Sequence, residues 1–158
     1  MNNVRIIGID PGARKVGIGI IDSTFTSGSI KPVFIKTIRL NLETTLSERL
    51  TELFNSLMII LNEYKPHKAA VEDIFVNKKN LRSSLILGQA RGVILLALGL
   101  MKITIIDLSP QNIKKGVTGD SLASKIKVAE MVKNILKLKN RPPEDAADAL
   151  AMAILSVR

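Results

Sequence analysis

The first forty residues alternate short apolar runs with turn residues, which is the pattern of consecutive β-strands. The runs are rich in Val and Ile, and the turns between them contain Pro-Gly or Ser-Gly. Strands are therefore predicted at residues 4–10, 15–22 and 32–39. Because short turns join strands that run in opposite directions, this region predicts a three-stranded antiparallel meander.

Helical and strand patterns alternate after residue 40. Leucine and isoleucine recur at helical spacing in TTLSERLTELFNSLMIILNEY, and a threonine opens the run, which predicts a helix of about 18 residues. Further strands are predicted at residues 69–75 and 102–108, and further helices at residues 81–100, 121–138 and 142–157. This order predicts an α/β fold with a mixed five-stranded sheet flanked by helices.

The length and the apolar content bound the architecture. A chain of 158 residues with 46% hydrophobic content is long enough for one domain with a full core, predicted to cover residues 1–158. Its longest uncharged apolar run, GVILLALGLM, is too short to cross a bilayer and is interpreted as a buried helix. The N-terminus lacks the basic-then-apolar order of a signal peptide. No membrane partner is expected.

Basic residues outnumber acidic ones, and the excess is local. The chain has 23 Lys and Arg against 14 Asp and Glu, a formal net charge of +9. Residues 78–141 contain 13 of the basic and 3 of the acidic side chains, which leaves 10 basic and 11 acidic ones elsewhere. A polyanion is the expected partner, with nucleic acid ahead of a membrane surface.

Cysteine is absent, and His67 is the only histidine. These counts exclude disulfides, thiolate zinc sites, cysteine nucleophiles and any mechanism that needs two histidines within one chain. His67 lies in the polar turn YKPHK and is expected to be an exposed loop residue. The lack of cysteine fits a reducing cytoplasm.

Three acidic sites are embedded in apolar elements. Asp10 ends the first predicted strand, and Glu72 lies near the end of the fourth. Asp145 and Asp148 share a face of the last predicted helix, as Glu144 and Asp148 would. Taken singly, each has an ordinary explanation. Asp10 fits a turn, Glu72 fits a half-exposed edge strand, and the acids of the last helix fit the favourable end of the helix dipole. Taken together, they repel one another unless a cation binds among them.

Oxygen-only ligands of this kind suit Mg²⁺ or Mn²⁺. Beside phosphates, such a cluster supports two-metal hydrolysis of a phosphodiester, in which one ion activates water and the other stabilises the leaving oxygen. The residues alone therefore indicate phosphodiester chemistry and leave open which acids of the last helix take part.

Four motifs stand in the order and at the spacing of a nuclease family. They are GIDPG at residues 8–12, VEDIF at 71–75, LGQARG at 87–92 and DAADALAMA at 145–153. In these motifs the chain resembles the RuvC-type Holliday junction resolvases, the crossover junction endodeoxyribonucleases, over essentially its whole length. The resemblance implies an RNase H-like fold, a homodimer, and Mg²⁺-dependent symmetric nicking of four-way DNA junctions in bacterial recombination and repair.

The resemblance also implies roles for individual residues. The expected catalytic and metal-binding carboxylates are Asp10, Glu72, Asp145 and Asp148. Glu144 falls outside this set. Two Mg²⁺ ions per active site are expected, with Mn²⁺ as a substitute. Asp73 is the next residue on the strand and should face away from Glu72.

DNA contacts are expected around this site. The expected DNA-binding residues are Phe75, Lys78, Lys79, Arg82, Lys114 and Lys125. Phe75 would stack or wedge at the opened junction, the alternative being a core phenylalanine. The basic residues between 78 and 82 would contact phosphates directly after the strand that carries Glu72. Lys114 and Lys125 match positions at which relatives carry DNA-contacting or catalytically helpful lysines.

The helix that contains LGQARG is the expected dimer interface. Gly88 and Gly92 weaken a helix unless close packing requires small residues, and packing on the sheet alone is the alternative. A two-fold dimer would bring one metal site to each of two matching strands of a pseudo-two-fold junction. A branch-migration motor complex is a further expected partner, and the bacterial cytoplasm is the expected location.

Three other functions were weighed against this resemblance. An RNase H-like nuclease acting on RNA or an RNA–DNA hybrid would keep the carboxylates but should lack the combination of DAADALA and LGQARG. An actin-like or sugar-kinase ATPase needs a second, similar domain that 158 residues cannot supply. A non-catalytic junction-binding protein would explain the basic region and leave the carboxylates without a role.

Overall fold

The computed structural model describes residues 3–24, 28–74 and 80–157. Its strands are β1 (Asn3–Asp10), β2 (Lys15–Thr24), β3 (Ser29–Arg39), β4 (Lys68–Glu72) and β5 (Thr104–Leu108). Its helices are α1 (Leu46–Tyr64), α2 (Leu81–Leu100), α3 (Pro110–Thr118), α4 (Lys125–Ile135) and α5 (Glu144–Leu155).

The five strands form one mixed sheet in the order β3-β2-β1-β4-β5. The first three strands pair antiparallel, whereas β4 lies parallel to both β1 and β5. The predicted mixed five-stranded sheet, with its antiparallel meander, is therefore confirmed. Because β1 and β4 are parallel neighbours, their C-terminal ends meet at the same edge of the sheet.

Apolar side chains cover both faces of the sheet. On one face, residues of α1 and α2 such as Leu57 and Ile94 pack against Ile9 and Ile18 of the strands. On the other face, residues of α3, α4 and α5 such as Val117, Val132 and Leu150 pack against the sheet. Strands buried on both faces read as nearly continuous apolar runs, which is why they were recognisable in the sequence.

The region between residues 109 and 138 differs from its prediction. Helix α3 was not predicted, although Ser109 caps its N-terminus and is followed by Pro110, a start signal present in the sequence. Gly119, with φ of 78°, ends this helix. The predicted helix 121–138 is shorter than expected, because Ser124 caps α4 and so delays its start. The fourth strand likewise ends at Glu72, before the predicted limit of residue 75.

Helix α2 is apolar on two opposite faces, and the prediction of a buried helix is therefore only half right. Ala90, Ile94 and Leu98 are buried. The opposite side carries an exposed stripe, which consists of Leu81, Leu85, Gly92, Leu96 and Leu100. The four leucines of this stripe are 56–68% exposed. Leu81 and Leu85 are four residues apart, as are Leu96 and Leu100, and residues at this spacing lie on the same side of a helix.

By length and composition alone, α2 could cross a membrane, and it is the helix among the described residues with this property. The uncharged run that begins at Gly92 is shorter than this helix, which begins at Leu81 and includes two arginines. Its packing indicates a different role. Arg91 in the middle of the helix is bonded to the sheet, and a charged side chain held there by polar contacts is costly in hydrocarbon.

Candidate active site

Asp10 and Glu72 lie side by side at the ends of two parallel strands. In the register of β1 and β4, Ile9 is opposite Val71, so the two acids are the next residues along each strand. Neither side chain is exposed. The charge of Glu72 raises the pKa of Asp10, and the charge of Asp148 raises the pKa of both. The sequence prediction that these two carboxylates meet at neighbouring strand ends is confirmed by this register.

Helix α5 brings two further carboxylates to the same edge. Its backbone packs directly on β1 and β2, with no side chain between them at two positions. A Cβ atom at Gly8 would overlap the carbonyl oxygen of Ala149, and one at Gly17 would overlap that of Asp145. This close approach sets Asp145 and Asp148 beside Asp10, whose pKa both of them raise.

The cluster strongly disfavours ionisation of all its members at once. Burial, followed by the charges of Glu72 and Asp148, raises the pKa of Asp10 from 3.8 to about 8. Burial and then Asp148 raise the pKa of Glu72. Burial also raises the pKa of Asp148, in spite of the opposing influence of Lys125. These groups therefore need a nearby positive charge in order to be ionised together.

Two lysines supply part of that positive charge. Lys125 Nζ lies 3.5 Å from Asp148 Oδ2, and Lys15 Nζ lies 3.7 Å from Asp145 Oδ2. Burial lowers the pKa of Lys125, but Asp148 and Asp10 together outweigh it and leave that pKa raised. Lys114 is near enough to lower the pKa of Glu72. Of the predicted DNA-binding lysines, Lys114 and Lys125 thus lie at the carboxylates.

The raised pKa of Asp10 predicts how stability depends on pH. The unfolded chain releases this proton near pH 3.8, whereas the folded chain keeps it up to about pH 8. The resulting stabilisation is complete below pH 3.8 and is lost as the pH rises to about 8. In EDTA, we expect the free energy of unfolding to fall by roughly 2–5 kcal/mol across this window.

Urea unfolding at a series of pH values measures this dependence. The control is Asp10→Asn, which cannot titrate and should give a flatter profile. Identical pH profiles for the two proteins would contradict the assignment of the effect to Asp10.

The remaining predicted residues are distributed as follows. Arg82 is exposed in the first turn of α2, and Gly88 and Gly92 lie further along that helix, with Gly92 exposed. Phe75, Lys78 and Lys79 lie outside the described residues. Asp73 is turned to Arg91, in agreement with its predicted direction away from the cluster.

Arg91 is a residue whose role the sequence reasoning missed. Its Nε donates a hydrogen bond to the carbonyl oxygen of Glu72 over 3.1 Å, and its guanidinium pairs with Asp107 of β5. Its side chain is only 16% exposed. Arg91 therefore fixes α2 to the ends of β4 and β5. Glu72 is the last residue of β4, so this contact lies at the carboxylate cluster. An arginine inside an otherwise apolar helix was the available signal.

The donor set fits a hard divalent cation. All four acids offer carboxylate oxygens, the ligands that suit Mg²⁺ and Mn²⁺. The raised pKa values of Asp10, Glu72 and Asp148 show an unmet need for positive charge. Within residues 3–24, 28–74 and 80–157, no three acidic or histidine side chains are already gathered closely enough to hold an ion. Two of the four carboxylates face lysines instead. Binding would thus require side-chain adjustment within this cluster.

Comparisons with known proteins identify the family of this chain. Residues 6–156 match the family model of the crossover junction endodeoxyribonuclease RuvC. The RuvC endodeoxyribonuclease of Hydrogenovibrio crunogenus is 45% identical over 151 residues, which cover 95% of this chain and 85% of the relative. That of Brevibacillus brevis is 38% identical over 96% of this chain and 90% of the relative.

A solved structure extends the likeness to the fold. Thermus thermophilus RuvC in complex with a Holliday junction substrate superposes with a TM-score of 0.87 at 27% identity, over 96% of this chain and 92% of that one. The sheet order and the flanking helices are thus those of RuvC, an RNase H-like fold. On the evidence of the family match and these relatives, the chain belongs to the RuvC family of crossover junction endodeoxyribonucleases.

Proposed function

We propose that this protein resolves four-way Holliday junctions by metal-dependent hydrolysis of one phosphodiester bond in each of two matching strands. The observation that carries the proposal is the cluster of four carboxylates at one edge of the sheet, in a chain of the RuvC family. The related Thermus thermophilus protein was solved with a Holliday junction substrate, which supports the same substrate here. Such an activity serves DNA recombination and repair in the bacterial cytoplasm.

The family is one of divalent-metal-dependent nucleases, and Mg²⁺ is the ion we propose. The ligands would be Asp10, Glu72, Asp145 and Asp148, with two ions per site and Mn²⁺ as a substitute. Bound there, the ions would activate water and stabilise the leaving oxygen. The protein's own contribution is to hold four carboxylates on two strand ends and one helix, elements that are more rigid than loops.

The lysines of the site act on the DNA and on the carboxylates. Lys125 favours the ionised form of Asp148, and because its own pKa is raised it stays protonated and can also pair with a phosphate. Lys114 is near Glu72 and can act in the same way. Arg82, together with Lys78 and Lys79, would bind backbone phosphates beside this site, and Phe75 would stack on a base at the opened crossover.

A labelled four-way junction tests the proposed function. It is compared with a duplex and with an RNA–DNA hybrid of matching sequence, each with and without Mg²⁺. We expect paired cuts in the junction only, and only with the metal. Preferred cleavage of the hybrid would support an RNA-directed nuclease, and junction binding without cleavage would support a non-catalytic binding protein.

The exposed stripe of α2 supports a homodimer. Four half- to two-thirds-exposed leucines on one helix face form an apolar surface next to Gly92. A Cβ at Gly92 would meet no atom of the other described elements within 4 Å. Burying such a surface against a second copy is favourable, and a two-fold contact uses the same patch on both subunits. The dimer would present two active sites to the two matching strands of a junction. A branch-migration motor complex remains a further proposed partner.

Gly92→Leu tests this interface. Because the described residues of one subunit leave open space at Gly92, the added side chain should not disturb the subunit itself. It should instead separate the subunits or misalign their active sites. On a cruciform plasmid, we expect the ratio of linear to nicked product to fall about tenfold, by analogy with the cost of overpacking an interface.

The matched control adds a leucine to a helix on the opposite face of the sheet. Asn134 of α4 is exposed, and Asn134→Leu should remain dimeric and keep its paired cuts. Sedimentation velocity measures the state of association of both variants. A monomeric Gly92→Leu protein that still makes coordinated paired cuts would refute the dimer.

A further inference from the structure

A groove of about 430 Å³ opens directly beside the carboxylate cluster. It runs between the neighbouring strands β2 and β3 and the first turn of α5, and Asp145 forms part of its wall. Two basic residues, Lys15 and Arg39, line it on the side of the sheet. Lys36 also borders it, but alternates with Thr37 and Arg39 along β3 and so points its side chain to the other face. The groove is therefore acidic on the side of the active site and basic on the side of the sheet edge.

Two of the basic residues are direct partners in the sheet. Lys15 of β2 lies opposite Arg39 of β3, so both side chains project from the same face. Like charges in this arrangement repel and destabilise a pair of strands. Lys15 contacts Asp145, but the Arg39 side chain has no ion pair or hydrogen bond within the described part of the chain. Although Glu144 and Asp145 both line the groove, the Arg39 guanidinium is therefore left without an anionic partner among the described residues.

Thr37 adds a second, independent observation. It lies two residues before Arg39 on the same face of β3 and lines the same groove. Its hydroxyl oxygen is shielded from water and has no hydrogen-bond partner among the described residues. A hydroxyl in this situation lacks the acceptor that buried polar groups normally find. A rotation of the Thr37 side chain about χ1 would turn this hydroxyl towards the groove, where an anionic oxygen would accept its hydrogen bond and also pair with Arg39.

We propose that this groove binds a backbone phosphate of the junction strand, close to the phosphate that is cut, with Arg39 and Lys15 as its cationic contacts. The inference rests on the proposed function, because it assumes that the cut phosphate lies at the carboxylates. A strand that leaves this position along the groove carries a phosphate every few ångströms, so one of them comes to the basic wall. The groove thereby orients the strand for cleavage.

A coupling experiment tests the contact one phosphate at a time. Each phosphate within three nucleotides of the cut is replaced in turn by an uncharged methylphosphonate, and single-turnover cleavage is measured for the wild-type protein and for Arg39→Gln. We expect one position at which neutralisation slows the wild-type protein about tenfold, as the loss of a charged hydrogen bond would. At that position, Arg39→Gln should lose little more, because the two changes remove the same interaction.

Lys31→Gln is the matched control. Lys31 is exposed on the same strand, and eight residues of extended chain separate it from Arg39, a distance of about 26 Å. The same change of charge there should leave cleavage unaffected and show no coupling. If the effects of Arg39→Gln and of the methylphosphonates multiply at every position, the inference is wrong. If the wild-type protein does not cut the unmodified junction, the proposed function fails instead.

Discussion

Asp10→Asn should lower junction cleavage by about a thousandfold or more, equivalent to ~4 kcal/mol of transition-state stabilisation, while junction affinity changes by less than about twofold. The pKa of Asp10 is raised to about 8 by burial and by the neighbouring carboxylates of β4 and α5. The substitution keeps the size of the side chain and removes its charge. The basic residues that bind DNA remain in place, so binding should survive.

Single-turnover cleavage and a gel-shift titration of the same junction in Ca²⁺ measure the two quantities separately. Asp73→Asn is the control, because Asp73 is one residue from Glu72 but is 50% exposed and turned to Arg91. It should keep cleavage within about tenfold of wild type, the range of changes that act through a neighbouring group. A folded Asp10→Asn protein that loses binding in parallel with cleavage would contradict the metal-binding role.

Gly8→Ala should destabilise the protein by about 1–3 kcal/mol or more and reduce cleavage about a hundredfold. The new Cβ would overlap the carbonyl oxygen of Ala149 and approach the backbone nitrogen of Ala153. Both are helix backbone atoms, which cannot move aside singly. Helix α5 must therefore shift as a whole and carry Asp145 and Asp148 away from Asp10.

Thermal unfolding and cleavage should both respond to this change. Gly99→Ala is the control, because a Cβ at this α2 position would have no other described element within 4 Å and alanine favours a helix. It should leave the melting temperature unchanged or slightly higher. A Gly8→Ala protein with wild-type stability and activity would show that α5 does not depend on this close approach.

The sheet and most helices could be predicted from the sequence because their signals are local. Apolar runs ended by glycine and proline define strands, and leucine spacing defines α1. The missed helix α3 had its signal in Ser109 and Pro110, but its nine residues bury only two side chains, Ile113 and Val117, which is too few for a clear helical pattern. Buried and exposed apolar faces look alike in α2, because a sequence does not distinguish a core contact from a surface that awaits a partner.

The place of the carboxylates in the chain was also predictable, whereas the means of positioning them was not. Asp10, Glu72 and the three acids of the last helix stand out as acids in apolar elements, and the family resemblance left Glu144 out of the expected set. The contact of Lys15 with Asp145 and the bond from Arg91 to Glu72 join residues far apart in the chain. Gly8 and Gly17 likewise gain their meaning only from the helix that packs on them. Such roles depend on tertiary packing, which no local pattern contains.

Helix α2 has a geometric consequence for the choice of substrate. One side of it is bonded through Arg91 to the strand end that carries Glu72, and the other side is the proposed subunit contact. In the proposed dimer, the span between the two cutting centres is therefore fixed by regular secondary structure and not by loops. A DNA whose two matching phosphates lie at a different span cannot engage both centres together. Selection of branched DNA would then follow from the dimensions of the dimer, without any reading of the base sequence.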